Sequence, residues 1–308
     1  MADQAVPLYR FLAPRHWLTW LGLGVLRVMV MLPHRSRMRI GRTLGQLAFR
    51  IAGRRRRIAV RNLQICFPEL TSQARQELLR RHFESLGMGL IETGVCWWVA
   101  DDRIRPLLHV EGRDHLEAAL ARGNGVLMLT GHFNPVDLGG RFLTMLAPVT
   151  AIYRPHENPL LNEIMRRGRE ASAKRAVSKR DVRGLVGALR ANHAIWYAPD
   201  QNYRGKYGIV VPFFSTPAPT NSATSRIARI SGAAVVPFFP ERRKDGSGYR
   251  LIIRPALDNF PSDDPVADTL RINELLEQRV RETPADYLWI HRRFKPAEAG
   301  QPDPYADV

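Results

Sequence analysis

The chain has 308 residues, 45% of them hydrophobic and 24% charged, enough for one large α/β domain or two small ones around a substantial core. A formal net charge of +17 and a pI of about 10.8 favour anionic partners: nucleic acid, anionic lipid, phosphorylated substrates or an acidic protein. Two cysteines, Cys66 and Cys96, exclude a disulfide framework or a cysteine-rich zinc site and read as structural thiols in a reducing compartment.

At the N-terminus, no Asp or Glu occurs from Gln4 to Pro68, a stretch with thirteen arginines and no lysine. Inside it lies HWLTWLGLGVLRVMVMLP, residues 16 to 33, apolar apart from its leading histidine and Arg27. Eighteen residues is the short end for a membrane span, and Trp17 and Trp20 stand where interfacial aromatics belong. The segment is expected to anchor the chain to a membrane. Arg27 leaves two forms open, a span with a snorkelling arginine or a helix lying in the interface. A secretory signal fits poorly, because the basic MLPHRSR lacks a small-residue cleavage site. A buried core helix is the competing reading. Arginines after the run (Arg35, Arg37, Arg39, Arg42, Arg50) outnumber those before it (Arg10, Arg15), which places the bulk of the chain in the cytoplasm.

GRRRRIAVRNL follows at 53 to 63. A charge run is often only a solvated face. Directly after an apolar anchor, Arg54, Arg55, Arg56 and Arg57 also suit lipid head-group phosphates, at ~1 kcal/mol per basic residue near an anionic surface. Residues 71 to 100 keep apolar side chains at helical spacing behind a cap at Thr71 or Ser72.

From about residue 105 the rhythm changes. Apolar runs at 125–131, 147–153, 193–199, 233–240 and 249–255 alternate with helical patterns near 136–146, 159–175, 181–191 and 221–231. Such alternation predicts a layered α/β domain. The organisation expected is an anchor over 1–34, a basic helical region over 35–104, an α/β domain over 105–296 and a proline-rich tail over 297–308, read as loop.

In TGHFNPVDLGG, residues 130 to 140, His132 and Asp137 form an H-x4-D pair. Nine histidines predict roughly one such match by chance, and a second exists, His109 with Asp114 in HVEGRD. Context separates them. Asp114 starts the pattern DHLEAALARG and reads as its N-cap, so that pair is structural. His132 ends an apolar strand. Asn134 reads as the cap and Pro135 as the first position of the next helix, which puts Asp137 in a first turn that can face back to the histidine. The C-terminal edges of strands are where α/β sheets carry their sites. A carboxylate on one ring nitrogen fixes the tautomer and leaves the other free to take a proton. With no G-x-S-x-G elbow and no convincing cysteine nucleophile, the nucleophile would come from the substrate. A second Asn-Pro helix start follows Arg154 at another strand end, where an arginine suits an oxyanion or a phosphate, although a surface role is the default for any one arginine among so many.

The blocks RNLQICFPEL, GHFNPVDLGGR, YRPHENPLL, YAPDQNYRGKYGIVVPFF, VVPFFPERR and YLWIHRRFKP together resemble the bacterial lipid A late acyltransferases, within the wider H-x4-D/E acyltransferase superfamily. The resemblance runs from about Arg54 to Tyr305, with the apolar anchor before it. It implies a glycerolipid-acyltransferase-like α/β fold, a central mixed sheet flanked by helices, behind an N-terminal membrane-anchoring helix. It implies an acyl-carrier-protein thioester as donor and a Kdo-modified lipid A precursor as acceptor, acylated on the hydroxyl of a 3-hydroxyacyl chain at the cytoplasmic face of the inner membrane. No metal or dissociable cofactor is implied. His132 is then the general base and Asp137 its orienting acid. Arg154 or backbone N–H groups near Gly131 stabilise the oxyanion, Asp200 and Gln201 occupy the third motif and Pro237 the fourth. Lipid A enzymes often carry Glu where this chain has Asp137. A same-superfamily enzyme with a glycerophospholipid or glycolipid acceptor is the nearest rival. A basic nucleic-acid-binding protein or a non-catalytic membrane scaffold leaves the strand-end pair unexplained.

Overall fold

The computed structural model describes residues 6–153, 156–170, 175–178, 181–298 and 300–308. The helices are α1 (Trp17–Met29), α2 (His34–Ile51), α3 (Gly53–Cys66), α4 (Ser72–Trp98), α5 (Asp101–Ile104), α6 (Arg113–Leu120), α7 (Val136–Thr144), α8 (Pro159–Glu170), α9 (Val182–Arg190), α10 (Ala223–Ser231) and α11 (Pro265–Glu282). The strands are β1 (Leu108–Glu111), β2 (Val126–Leu129), β3 (Val149–Tyr153), β4 (Arg175–Ser178), β5 (Ala194–Tyr197), β6 (Gly208–Phe213), β7 (Thr216–Asn221), β8 (Ala234–Arg242) and β9 (Tyr249–Ile253).

Seven strands form one sheet in the order β1-β9-β8-β2-β5-β3-β4. The run from β8 to β4 is parallel, β9 is antiparallel to β8, and β1 is parallel to β9. The sheet is therefore mixed, as expected. β2 lies near its middle, and all four of its residues are buried. A strand covered on both faces reads as a continuous apolar run, which is why VLML shows no alternation. Leu127 and Leu129 join one apolar cluster with α3, α4, α9 and α11, while Val126 and Met128 join the other with α6 and α7. The period of two thus survives in the structure even where the sequence hides it.

The long α4 starts where expected, with Thr71 Oγ1 accepting from the Ala74 amide at 3.1 Å. α2 crosses it at backbone contact. A Cβ on Gly45 would lie 2.1 Å from the Phe83 carbonyl oxygen, and one on Gly87 2.1 Å from that of Gly41. The antiparallel β6–β7 hairpin and α11 lie outside the predicted elements. In GIVVPF and TPAPTN proline interrupts the alternation that marks a strand.

Of the two forms open to the N-terminal segment, the helix found is too short for a span. The apolar run folds into α1, only thirteen residues long, and no helix among the described residues is long and apolar enough to cross a membrane. At 1.5 Å per residue it reaches about 20 Å, against a hydrocarbon core of about 30 Å. One face packs on the protein: Leu23 and Leu26 are buried, and Arg27 lies over the Trp98 ring at 5.4 Å. The other face is bare. Leu18 is 81% exposed, and Leu21, Val25, Val28 and Met31 are exposed beside it.

The tail is loop, as read, but it is packed. Tyr305 is buried, its hydroxyl accepts from the Phe294 amide at 3.0 Å, and it bonds Asn62. Both cysteines are buried and unpaired, and burial pushes both thiols up.

Candidate active site

β2 and β5 are parallel neighbours, with Leu129 level with Tyr197. One further rung is made where the Thr130 amide donates to the Tyr197 carbonyl at 2.9 Å. Past that point the chains part. Three residues beyond Leu129 stands His132, and three beyond Tyr197 stands Asp200. The equal offset brings the two side chains together. His132 Nδ1 lies 2.6 Å from Asp200 Oδ1, and the His132 amide donates to Oδ2 at 2.9 Å. One carboxylate therefore fixes both the ring and the backbone of the histidine.

This corrects the assignment of the orienting acid. Asp137 does stand in the first turn of α7, but Oδ2 accepts the Thr93 hydroxyl at 2.7 Å, and no hydrogen bond joins Asp137 to the His132 ring. The helix also starts later than expected. Pro135 is the N-cap and Val136 the first helical residue. The Asn134 amide donates to the Asp286 carbonyl at 2.8 Å, and its side chain faces Gly89 rather than the helix end. Asp137 still acts on the histidine through space, and its charge adds to that of Asp200. Asp200, expected with Gln201 at an oxyanion or substrate contact, is the ring partner. Gln201 lines a small cavity behind the ring. Gly131 packs against the pair: a Cβ there would lie 2.8 Å from Phe133 and 3.3 Å from Asp200 Oδ2. Arg154 lies outside the described residues. Pro237 sits on β8 level with Leu129, under the turn.

In the second H-x4-D match, no hydrogen bond or ion pair among the described residues joins His109 to Asp114. His109 lies on β1, 62% exposed on its side chain, with Glu111 3.8 Å away. Asp114 is not the N-cap of α6. Gly112 takes that place at φ +73°, and Asp114 stands in the first turn.

Electrostatics sharpen the His132–Asp200 pair. The Asp200 side chain is 2% exposed and that of His132 25%. Burial alone would push the histidine pKa down; the charge and hydrogen bond of Asp200 outweigh it, and the net shift is upward from 6.5. Burial alone would push Asp200 up. The His132 charge and hydrogen bonds, with help from Arg293, hold it at about 2. The pair is thus an ionised carboxylate on a basic imidazole whose Nε2, among the described residues, makes no hydrogen bond.

The sequence block around YLWIHRRF closes the site from behind. Leu288 donates to the His132 carbonyl at 3.0 Å, and Phe133 bridges Tyr287. Behind the ring lies a cavity of about 10 Å³, lined among others by Asn62, Asp200, Tyr287, His291 and Arg293. His291 Nε2 accepts the Asn202 amide at 3.1 Å, and burial lowers its pKa to about 4. Arg293 is buried, with Nη1 donating to the Pro219 carbonyl at 2.8 Å and Nη2 near Thr220 Oγ1 at 2.7 Å. Its Nε is buried and has no partner. Of these, Asn62, Tyr287, His291 and Arg293 were not among the expected site residues. Their signal in the sequence was a dense run of aromatic and basic residues, which also describes an ordinary buried strand edge.

The four arginines of α3 divide. Arg55 Nη1 donates to the Ile290 carbonyl at 3.3 Å, close to His291, and Arg56 Nη1 to the Phe49 carbonyl at 3.0 Å. Arg54 and Arg57 are exposed.

An acid held at 2.6 Å from a histidine thus stands at the carboxyl edge of a mixed α/β sheet. Residues 8–296 match the family model for the bacterial lipid A biosynthesis acyltransferase, and the chain belongs to that family. It is 41% identical over 295 residues to the lipid A biosynthesis lauroyltransferase of Escherichia coli K12, covering 96% of each chain. It is 40% identical over 296 residues to the palmitoleoyltransferase of the same organism, again 96% of each. A lipid A biosynthesis acyltransferase of Haemophilus influenzae is 36% identical over 301 residues, with 96% of each covered. Among solved structures, a 1-acyl-sn-glycerophosphate acyltransferase from Thermotoga maritima overlaps at TM-score 0.36 and 15% identity, over 75% of this chain and 97% of that one. The protein is an acyltransferase of lipid A biosynthesis.

Proposed function

We propose that the protein moves a fatty acyl chain from an acyl-carrier-protein thioester to the hydroxyl of a 3-hydroxyacyl chain on a Kdo-bearing lipid A precursor. The observation that carries this reading is the His132–Asp200 pair, with Nδ1 held at 2.6 Å and the opposite nitrogen unengaged. In the reaction Nε2 takes the proton of the acceptor hydroxyl as its oxygen attacks the thioester carbonyl. The new C–O bond forms, the tetrahedral oxyanion collapses, the C–S bond breaks, and the leaving thiolate takes the proton back from the imidazolium. General-base help of this kind is worth ~10²–10⁴-fold. Arg154 and the backbone at Gly131 are the proposed oxyanion donors, and losing one such donor typically costs ~10²–10³-fold. The chemistry needs no metal or dissociable cofactor.

The working location proposed is the cytoplasmic face of the bacterial inner membrane. α1 lies in the interface rather than across it, with its bare face of Leu18, Leu21, Val25 and Val28 in the acyl region. A net charge of +17 suits phosphorylated lipid A, anionic leaflets and an acidic carrier protein together. Arg54, Arg55 and Arg57 are exposed on α3 and available to head-group phosphates.

Mass spectrometry of lipid A from cells with and without the protein tests the reading. One secondary acyl chain should be missing in its absence; an unchanged lipid A alongside altered glycerophospholipids would transfer the activity to another acceptor.

A further inference from the structure

A second cavity, of about 110 Å³, is lined by Trp196 and Asp137 among others. The Trp196 ring meets the His132 ring edge-on at 6.3 Å, and Asp137 bears on the same ring through its charge. Two of the slot's lining residues are therefore neighbours of His132. The slot runs between α7 and the edge of β3, with Trp97 among its walls. The polar Arg141 on its wall is already satisfied: Nη2 reaches Asp101 at 2.6 Å, and the guanidinium also bonds the carbonyls of Cys96 and Val99.

α7 turns Val136, Gly140 and Thr144 to this slot, at positions i, i+4 and i+8. The two glycines in the middle of that helix answer to different causes. A Cβ on Gly139 would lie 2.6 Å from the Pro240 ring, so packing against β8 requires glycine there. A Cβ on Gly140 would meet no atom of the described residues within 4 Å. Glycine inside a helix is destabilising relative to alanine, and nothing within the fold at Gly140 offsets that. What it gives is open space in a cavity that also reaches Trp196 and Asp137, the neighbours of His132.

We propose that this slot takes the acyl chain delivered by the donor and that Gly140 sets how long a chain it accepts. The inference rests on the thioester-donor reading above. A saturated chain suits the slot because Trp97, Val136, Val149, Ile152 and Trp196 line it and two of its lining residues neighbour the His132 ring. Each side chain added at Gly140 fills the slot from α7 and shortens the space for methylenes.

The test is a graded series, Gly140→Ala, Gly140→Val and Gly140→Leu, assayed with acyl-carrier-protein donors carrying saturated chains from eight to sixteen carbons. Thermal melting of each variant checks the fold, and Gly140→Ala should melt no lower than the parent. The ratio of kcat/KM for the longest to the shortest accepted chain should fall along the series, reaching about tenfold or more at Gly140→Leu, the scale on which pockets discriminate by methylenes. An unchanged length preference, or an equal loss at every length, overturns the proposal while leaving the transfer reaction standing. Parent protein that transfers none of these chains overturns the donor reading itself, and the slot assignment with it.

Discussion

His132 and Asp200 are placed by strand register: each stands three residues past a paired position, Leu129 on β2 and Tyr197 on β5. Side chains at equal offset beyond two parallel neighbours leave the sheet together, and here they meet at 2.6 Å. The acid 68 residues away is therefore closer to the ring than the acid five residues away.

That ordering makes the two carboxylates unequal. Asp200→Asn should lower kcat by ~10³–10⁴-fold, the scale seen when the acid of a His–Asp pair is neutralised and the tautomer is lost. Asp137→Asn should cost far less, because Asp137 acts only through space. Steady-state kinetics on the two folded variants decides; the reverse order would assign the orienting role to Asp137.

The pH behaviour follows from the shifts. The base must be neutral to act, and the His132 pKa is raised above 6.5, so the acid limb of kcat/KM should fall above pH 6.5. Stability runs the other way. A raised histidine pKa gives a contribution fully present below 6.5 and lost as pH rises through the folded value. Asp200, held at about 2 against 3.8, adds a contribution present above 3.8 and lost as pH falls towards 2. The stability difference between parent and Asp200→Asn, from denaturant titrations, should be largest between about pH 4 and 6.5. A difference independent of pH would mean that the pair does not share charge.

Arg293 acts on His132 through Asp200, and helps to hold that carboxyl down from inside the fold. Arg293→Met removes the opposing charge. Asp200 then holds the histidine proton more tightly, and the acid limb should move to higher pH. Arg293→Lys keeps the charge but not the hydrogen bonds to Pro219 and Thr220, so it should lower the melting temperature and leave the limb in place. Limbs that coincide in both variants would reduce Arg293 to a packing role.

The bare face of α1 should be dispensable for folding and needed at the membrane. Glutamates at Leu18, Leu21 and Val25 leave the buried Leu23 and Leu26 untouched. Each apolar side chain fully buried is worth ~1.5–3 kcal/mol, so binding to anionic vesicles should weaken by at least about tenfold even with partial insertion. Unchanged vesicle binding would move the anchoring to the arginine surface.

Much of this was legible in the residues. The strand–turn–helix at 125–144 and the cap at Thr71 follow from local pattern, and local pattern reports on neighbours in sequence. Asp200 as ring partner required the pairing of β2 with β5, which no local window contains. The equal offset of GVLMLTGH and HAIWYAPD from their strand ends was the available clue. The choice between a span and a shorter helix was not legible, because an apolar run is read the same whether it faces lipid or packs Leu23 and Leu26 against the protein. α11 and the β6–β7 hairpin escaped because charge density in the one and prolines in the other mask their periods.

The central claim is that His132 is the base for acyl transfer to a lipid A precursor. Purified protein, an acyl-carrier-protein thioester and the Kdo-bearing precursor, followed by mass spectrometry, test it directly. The parent should add one acyl mass to the precursor, His132→Ala should add none while remaining folded, and His109→Ala should match the parent. Undiminished transfer by His132→Ala would contradict the account.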